Sequence, residues 1–405
     1  MSNAAAQGKK LLIAGQSGAA LVTGLLLILV LTLLSIGGLM STAAELRISA
    51  NDRSAKEVFY VSEAGVEEVR SRLQTAASSA PIYDLQPADP AWRAFIGTPD
   101  RAAAKGYQTS NSAHSRYASL SPAMDYVVTV AHKLNSAGQV LKWGDVNGDG
   151  IPEENTLAGR NIYVITSEGR TSSGAEKTVR AEVSSLPVIT APAALYTKFS
   201  TIIQGSSTHV RGEDHCGSAD VPGVLTKAEV IQNGSPVITG VPFPIVDHST
   251  QDIDIQYQIN LFDRFVTDSY IVEGSTLTGM HWGTPVPGPS QQDPTSCSSQ
   301  RIVRFKTNSS YVRLSGGTSG CGLLLVEGDL HISGGFQWYG VVLVTGAVAF
   351  SGGGEKNVTG AMMAGSNVSA DTVGGNANII YCSSAIRNQS ESLPLTTLRW
   401  VELFS

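Results

Sequence analysis

Residues 19–40 read Ala19-Ala20-Leu21-Val22-Thr23-Gly24-Leu25-Leu26-Leu27-Ile28-Leu29-Val30-Leu31-Thr32-Leu33-Leu34-Ser35-Ile36-Gly37-Gly38-Leu39-Met40, without a charge. A helix crossing the hydrocarbon core of a bilayer needs about 20 such residues, so the stretch is long enough to span one. Lys9 and Lys10 precede it, and the first acidic residue is Glu45. That bias predicts a cytoplasmic leader and the bulk of the chain on the far side. A cleaved secretory signal is the ordinary alternative, but its apolar part runs to only about 7–15 residues before a small-residue cleavage site. Here the apolar run passes into a second pattern, Ala55, Phe59, Ser62, Val66, Val69 and Leu73, at helical steps of three and four. Glu57, Glu67, Glu68, Arg70 and Arg72 fill the other face, and no Pro breaks the chain between Met1 and Pro81. The pattern predicts one helix of about 55 residues, membrane-embedded in its first half and packed on a soluble domain in its second. A plain single-pass anchor is the other alternative.

The segment Gly18-Ala19-Ala20-Leu21-Val22, the run Leu29-Val30-Leu31-Thr32-Leu33-Leu34, and the continuation Asn51-Asp52-Arg53, Phe59-Tyr60 and Glu63-Ala64-Gly65 carry a family signal. Over about residues 15–75 they resemble the PilX family of type IV minor pilins. The resemblance implies a leader, 1–18, cut by prepilin peptidase between Gly18 and Ala19. It further implies extraction from the inner membrane into a helical filament by an ATP-driven machine. Other minor pilins and the major pilin would be met through the helix, with a PilY-type adhesin at the extracellular tip. The fifth mature residue, Glu in most pilins, is Thr23. In the family that carboxylate neutralises the N-terminal amine of a neighbouring subunit, and a buried unpaired charge is expensive. Thr23 cannot make that pair, which under the resemblance points to a tip or initiation role; plain variation at this position is the alternative. A GspK-like pseudopilin of a type II secretion system shares the same N-terminal logic. A membrane-anchored solenoid that binds carbohydrate and never enters a filament is a third reading.

Of 405 residues only 15% are charged, while Gly numbers 42, a mixture that suits an exported, loop-rich β protein with room for two domains outside the membrane. Net charge is −6 and the 28 basic residues are scattered, which argues against a nucleic-acid partner. Cys216, Cys297, Cys321 and Cys382 all fall on the oxidising side, where an even number favours disulfides. Three pairings are open, and the wide spacing lacks the CxxC pairs of a zinc site. Asp214-His215-Cys216 reads as structural rather than as a metal site or nucleophile.

Ser78-Ser79-Ala80-Pro81 ends the helix, and alternating segments follow at 126–131, 161–166 and 177–183, as in half-buried antiparallel strands. These predict a pilin-like head over 76–190, after the helix of 19–75, with an exit at Leu186-Pro187 and Ala191-Pro192. A β-rich domain then occupies 191–405. It has short strands at 201–205 and 209–212, a helix at 255–271 (Leu261, Phe262, Phe265, Ile271), and a Pro-rich stretch at 284–289. Between 301 and 382, apolar strands alternate with the corners Gly334-Gly335, Gly352-Gly353-Gly354 and Gly374-Gly375 about every 18–22 residues. That period predicts a small parallel β-solenoid, with a Gly-rich antiparallel sheet as the alternative. The expected class is α+β: a long N-terminal helix on an antiparallel sheet, followed by a solenoid-like domain.

The sharpest chemical motif is Asp145-Val146-Asn147-Gly148-Asp149-Gly150-Ile151-Pro152-Glu153-Glu154. Oxygens of Asp145, Asn147 and Asp149 can converge around a turn at Gly150, with the Ile151 carbonyl and Glu153 or Glu154 closing a calcium shell. The motif departs from an EF-hand at its twelfth position, Thr156, and its flanks read as strands or turns. A tight Asn-Gly/Asp-Gly turn without an ion is the alternative. Between Gly320 and Tyr381 the charges besides His331 are Glu327, Asp329, Glu355, Lys356 and Asp371, spread too thinly for a lyase-type site. With no Gly-x-Ser-x-Gly elbow and no phosphate loop, the sequence reads as a non-enzyme.

Overall fold

The computed structural model describes residues 16–73, 82–107, 112, 114–119, 125–286, 296–391 and 393–403. The leader up to residue 15, the expected helix break at 78–81 and the Pro-rich stretch beyond 286 lie outside them. Helix α1 (Gln16–Leu73) is uninterrupted for 58 residues. At 1.5 Å per residue, 19–40 span about 33 Å, which matches a hydrocarbon core of about 30 Å. Leu21 through Met40 are exposed on every side, as a membrane segment is when no lipid surrounds it. The soluble half seats Val58, Ser62, Gly65, Val66 and Val69 on the head. Ala55 is exposed and Phe59 only half-buried, so the seat starts at Val58 and is turned slightly from the expected stripe. The cause is close approach: Ser62 Oγ donates to the Lys177 carbonyl (2.9 Å), and Gly65 leaves no room for a Cβ against Ser167.

The head sheet has the order Ser115–Ser119, Arg93–Gly97, Tyr126–His132, Tyr163–Arg170, Glu176–Ser184, Thr396–Leu403, with the short helix α2 (Pro99–Ala104) beside it. Its first pair is parallel and the rest antiparallel. Val66 and Val69 of α1 meet Trp92, Ile96, Val128, Val130, Ile165, Val179 and Val183 in its core. The division at about residue 190 needs one amendment. The strand Thr396–Leu403 returns from the other end of the chain to pair with Glu176–Ser184 (Trp400 opposite Ala181), so the second domain is inserted into the head.

That inserted domain is a parallel β-solenoid from Leu195 to Tyr381, longer than the expected 301–382. Every pair of its 17-stranded sheet is parallel, which rules out the antiparallel alternative, and one small antiparallel pair, Thr284–Val286 with Ser296–Ser299, stands apart from that sheet. Its path is permuted. The chain enters at a middle coil with Leu195–Thr197 and winds to one end at 230–246. It then crosses back through α3 (Ile255–Phe262) and winds from Asp268–Ile271 to Tyr381. There Asp371–Val373 and Ala377–Tyr381 pair with Thr201–Gln204 and His209–Arg211, and Leu195–Thr197 pairs with Lys356–Ala364.

Helix α3 is shorter than the predicted 255–271. A 3-10 turn (Asp263–Phe265) ends it, and Asp268–Ile271 is claimed by the ladder with 303–306. Ile255, Ile259 and Phe262 cover one solenoid face, so 323–326, 341–344 and 361–364 are buried on both sides. Their unbroken apolar runs are the consequence.

Candidate functional site

The acidic loop is built on a small antiparallel pair, Lys142–Gly144 with Glu153–Asn155. Gly148 and Gly150 carry it round with φ of 77° and 84°, a backbone region that favours glycine. Asp145 closes it. Its Oδ1 accepts from the amides of Gly148 (2.7 Å) and Asp149 (3.1 Å), and its Oδ2 from Gly150 N (2.7 Å) and Thr190 Oγ1 (2.6 Å). A carboxylate has about four lone-pair sites, and all four are in use. Asn147 Oδ1 accepts from Asp149 N, Asp149 Oδ1 from Ile151 N, and Glu153 Oε1 from Val146 N. Glu154 points away to Lys133 at 2.5 Å.

Four of the six expected calcium ligands therefore supply side-chain oxygens along one loop: Asp145, Asn147, Asp149 and Glu153. Glu154 is not with them. The fit to a full shell is partial, because Asp145 is already saturated by N–H and O–H donors. Among the described residues no group of three or more His, Cys, Asp or Glu is placed to hold a metal ion.

The loop has partners that its own sequence gives no hint of. Thr190 belongs to the exit from the head. Gln251 Nε2 donates to the Gly148 carbonyl (3.0 Å), and Asp254 N donates to the Asp149 carbonyl (2.7 Å). Asp254 in turn caps α3, its Oδ1 accepting from Tyr257 N (2.8 Å). Ile253 and Gln258 sit so close to Gly150 that a Cβ there would meet them at 2.8 and 2.7 Å. Trp143, at the base of the loop, donates to the Pro152 carbonyl and belongs to the solenoid's core cluster. The loop is thus the joint between the head and the start of α3.

At the membrane end, Gly18 lies within α1 and Ala19 is exposed. Thr23 Oγ1 donates to the Ala19 carbonyl one turn earlier (2.8 Å), so its hydroxyl is satisfied within its own helix. The cysteines pair as Cys216–Cys382 and Cys297–Cys321, with Cα separations of 5.0 and 6.0 Å. Both bridges meet Tyr339 and Ala385 in one cluster beside α4 (Ser383–Glu391). Asp214 accepts from the amides of Cys216, Ala219 and Ser383, and so caps α4 from a distant segment. Burial opposes its charge, but hydrogen bonds from Ser383, Ala219 and Cys216 outweigh that and hold the carboxyl below the usual range.

Two buried charges had no sequence signal beyond their presence in Gly-rich strands. Lys356 is fully buried, and its Nζ donates to the carbonyls of Gly352 (2.9 Å), Gly354 (2.9 Å) and Gly375, tying together the corners of two coils. Asp371 is also fully buried. One of its oxygens accepts from Val348 N (2.7 Å) while the other lacks a hydrogen-bond partner. Burial, with Asp329 adding to it, pushes its carboxyl up to about 7.

Residues 17–67 match the family model described as PilX N-terminal. No curated protein and no solved structure matches the chain.

Proposed function

We propose that the protein is a minor pilin that primes assembly of a type IV pilus and sits at or near its tip. The observation that carries this is α1: a PilX-type segment over 17–67, continuous from an exposed apolar run into a half seated on a sheet. Such a helix can pass from bilayer to filament without refolding, because its apolar half exchanges lipid for the same half of neighbouring subunits. Prepilin peptidase would cut between Gly18 and Ala19. Thr23, already bonded to Ala19, has no carboxylate with which to neutralise the amine of a preceding subunit, which favours a position with no subunit beyond it. The protein would act by assembly and presentation rather than by catalysis, with a PilY-type adhesin as a tip partner and the solenoid displayed outside.

Antibodies to the solenoid test the position. Labelling confined to filament ends supports it, whereas labelling along the shaft, or on membranes with none on filaments, contradicts it.

A further inference from the structure

The solenoid's parallel ladder has two ends, and among the described residues the last strands at each pair on one side only. At one end the strands Val230–Asn233, Val237–Thr239 and Ile245–Val246 each pair on one side only. The segment 230–246 carries no charge. Ile231, Val237, Val241 and Phe243 are exposed there, and the core residues Val230, Ile238 and Val246 are only partly buried. At the other end Asp268–Ile271, Ser275–Thr278 and His281–Trp282 likewise pair on one side only. Ile271 is 75% exposed, and Tyr270, Leu277 and Met280 are partly buried at the edge of the core, while Trp282 is buried. Solenoids ordinarily close such ends with polar caps, since a row of unpaired N–H and C=O groups over an open core is a template for further pairing.

We propose that the occupant is a second copy of this chain, added head to tail so that the end at Ser275–Thr278 stacks on the end at Val230–Asn233. The two ends are complementary by the rule that stacks the coils themselves. The strands of this ladder all run parallel, and both ends present the same faces. One outward row shows it without a gap: Thr276, Arg313, His331, Ala349, Thr372, Ile202 and Ile231 are successive ladder partners. Thr276 and Ile231 end that row, so stacking makes Thr276 of one copy the next rung after Ile231 of the other. On the next face, the terminal residues His281 and Val237 stand in the same relation. A contact of this kind is heterologous and does not close on itself, so it repeats along an axis. It rests on the solenoid alone, and an unprocessed N-terminus would leave it standing.

The test is cross-linking of the full chain in detergent, mixing Ile231→Cys protein with Thr276→Cys protein. The native cysteines are all in disulfides, which leaves a clean background. Neighbouring rungs lie about 4.8 Å apart, within reach of a disulfide. Within one chain the two positions are six rungs, about 29 Å, apart, so any bridge is between copies. The expected result is a disulfide dimer in the mixture and little in either variant alone. Adding Val237→Lys, a charge on the neutral end, should cut the dimer about tenfold with the near-UV circular dichroism unchanged. Equal bridging in the single variants, or no bridging with a monomer by light scattering, overturns the proposal.

Discussion

Replacing Asp145 with Ala removes the acceptor that closes the acidic loop and docks Thr190. Four hydrogen bonds to a carboxylate are lost, each contributing about 1.5–3 kcal/mol when fully desolvated. Desolvation here is incomplete. Asp145 is half-buried and Val146 and Asn147 stand in solvent, so water replaces part of what the amides lose. A net cost of about 2–4 kcal/mol follows, close to what a lost cap and one lost cross-link together cost elsewhere. For one cooperative unit spanning the head and the solenoid, an unfolding entropy of about 2.1 cal/mol/K per residue makes that a fall in Tm of about 3–6 °C. Asp145→Asn keeps one acceptor oxygen and should fall between the two. Hydrogen exchange gives the location: amides of 145–151 and 251–258 should lose protection together, since Gln251 and Asp254 hang on the same loop. Unchanged Tm and unchanged exchange at 251–258 would refute the reading of this loop as the joint.

Lys356→Met keeps the stem but leaves three carbonyls without their donor. Relief from burying an ammonium offsets part of that loss, and chemical denaturation should show a net destabilisation of about 2–4 kcal/mol. A variant as stable as the parent would mean that water serves those carbonyls equally well. Asp371 has a folded-state pKa of about 7, above the unfolded value near 3.9, so the folded state holds the extra proton and stability falls as pH rises between those values. Asp371→Asn should therefore gain in Tm over the parent progressively from pH 4 to pH 7, and a constant difference would contradict this. Calcium at the acidic loop is proposed as weak binding through Asn147, Asp149, Glu153 and the Ile151 carbonyl. That is fewer than the 6–8 oxygens of a full shell, with Asp145 already committed, and it places affinity at about 10⁻⁴–10⁻³ M. Thermal shifts should begin only at millimolar calcium; micromolar binding, or none at all, counts against it.

The helix, three head strands and the solenoid's last coils were legible in the sequence because each is a local period: apolar run, alternation, Gly corner. What was hidden depends on distant pairing. Nothing in Thr396–Leu403 says that it joins the head, since an edge strand needs only backbone partners, here supplied by Glu176–Ser184. The permuted path was hidden for the same reason, as Leu195–Thr197 is too short to show a coil until Lys356–Ala364 lies beside it. The run after Phe262 kept helical spacing, yet its β-branched and aromatic residues served a ladder instead. In the acidic loop the motif was visible and its neighbours were not. Thr190, Gln251 and Asp254 are ordinary polar residues until the fold brings them to the turn.

The most direct measurement is the N-terminus by mass spectrometry, on protein from membranes and from sheared surface filaments, with and without prepilin peptidase. A peptide beginning at Ala19 is expected in the sheared fraction, lost when the peptidase is absent. A chain that keeps residues before Gly18 and is found only in membranes would contradict that expectation.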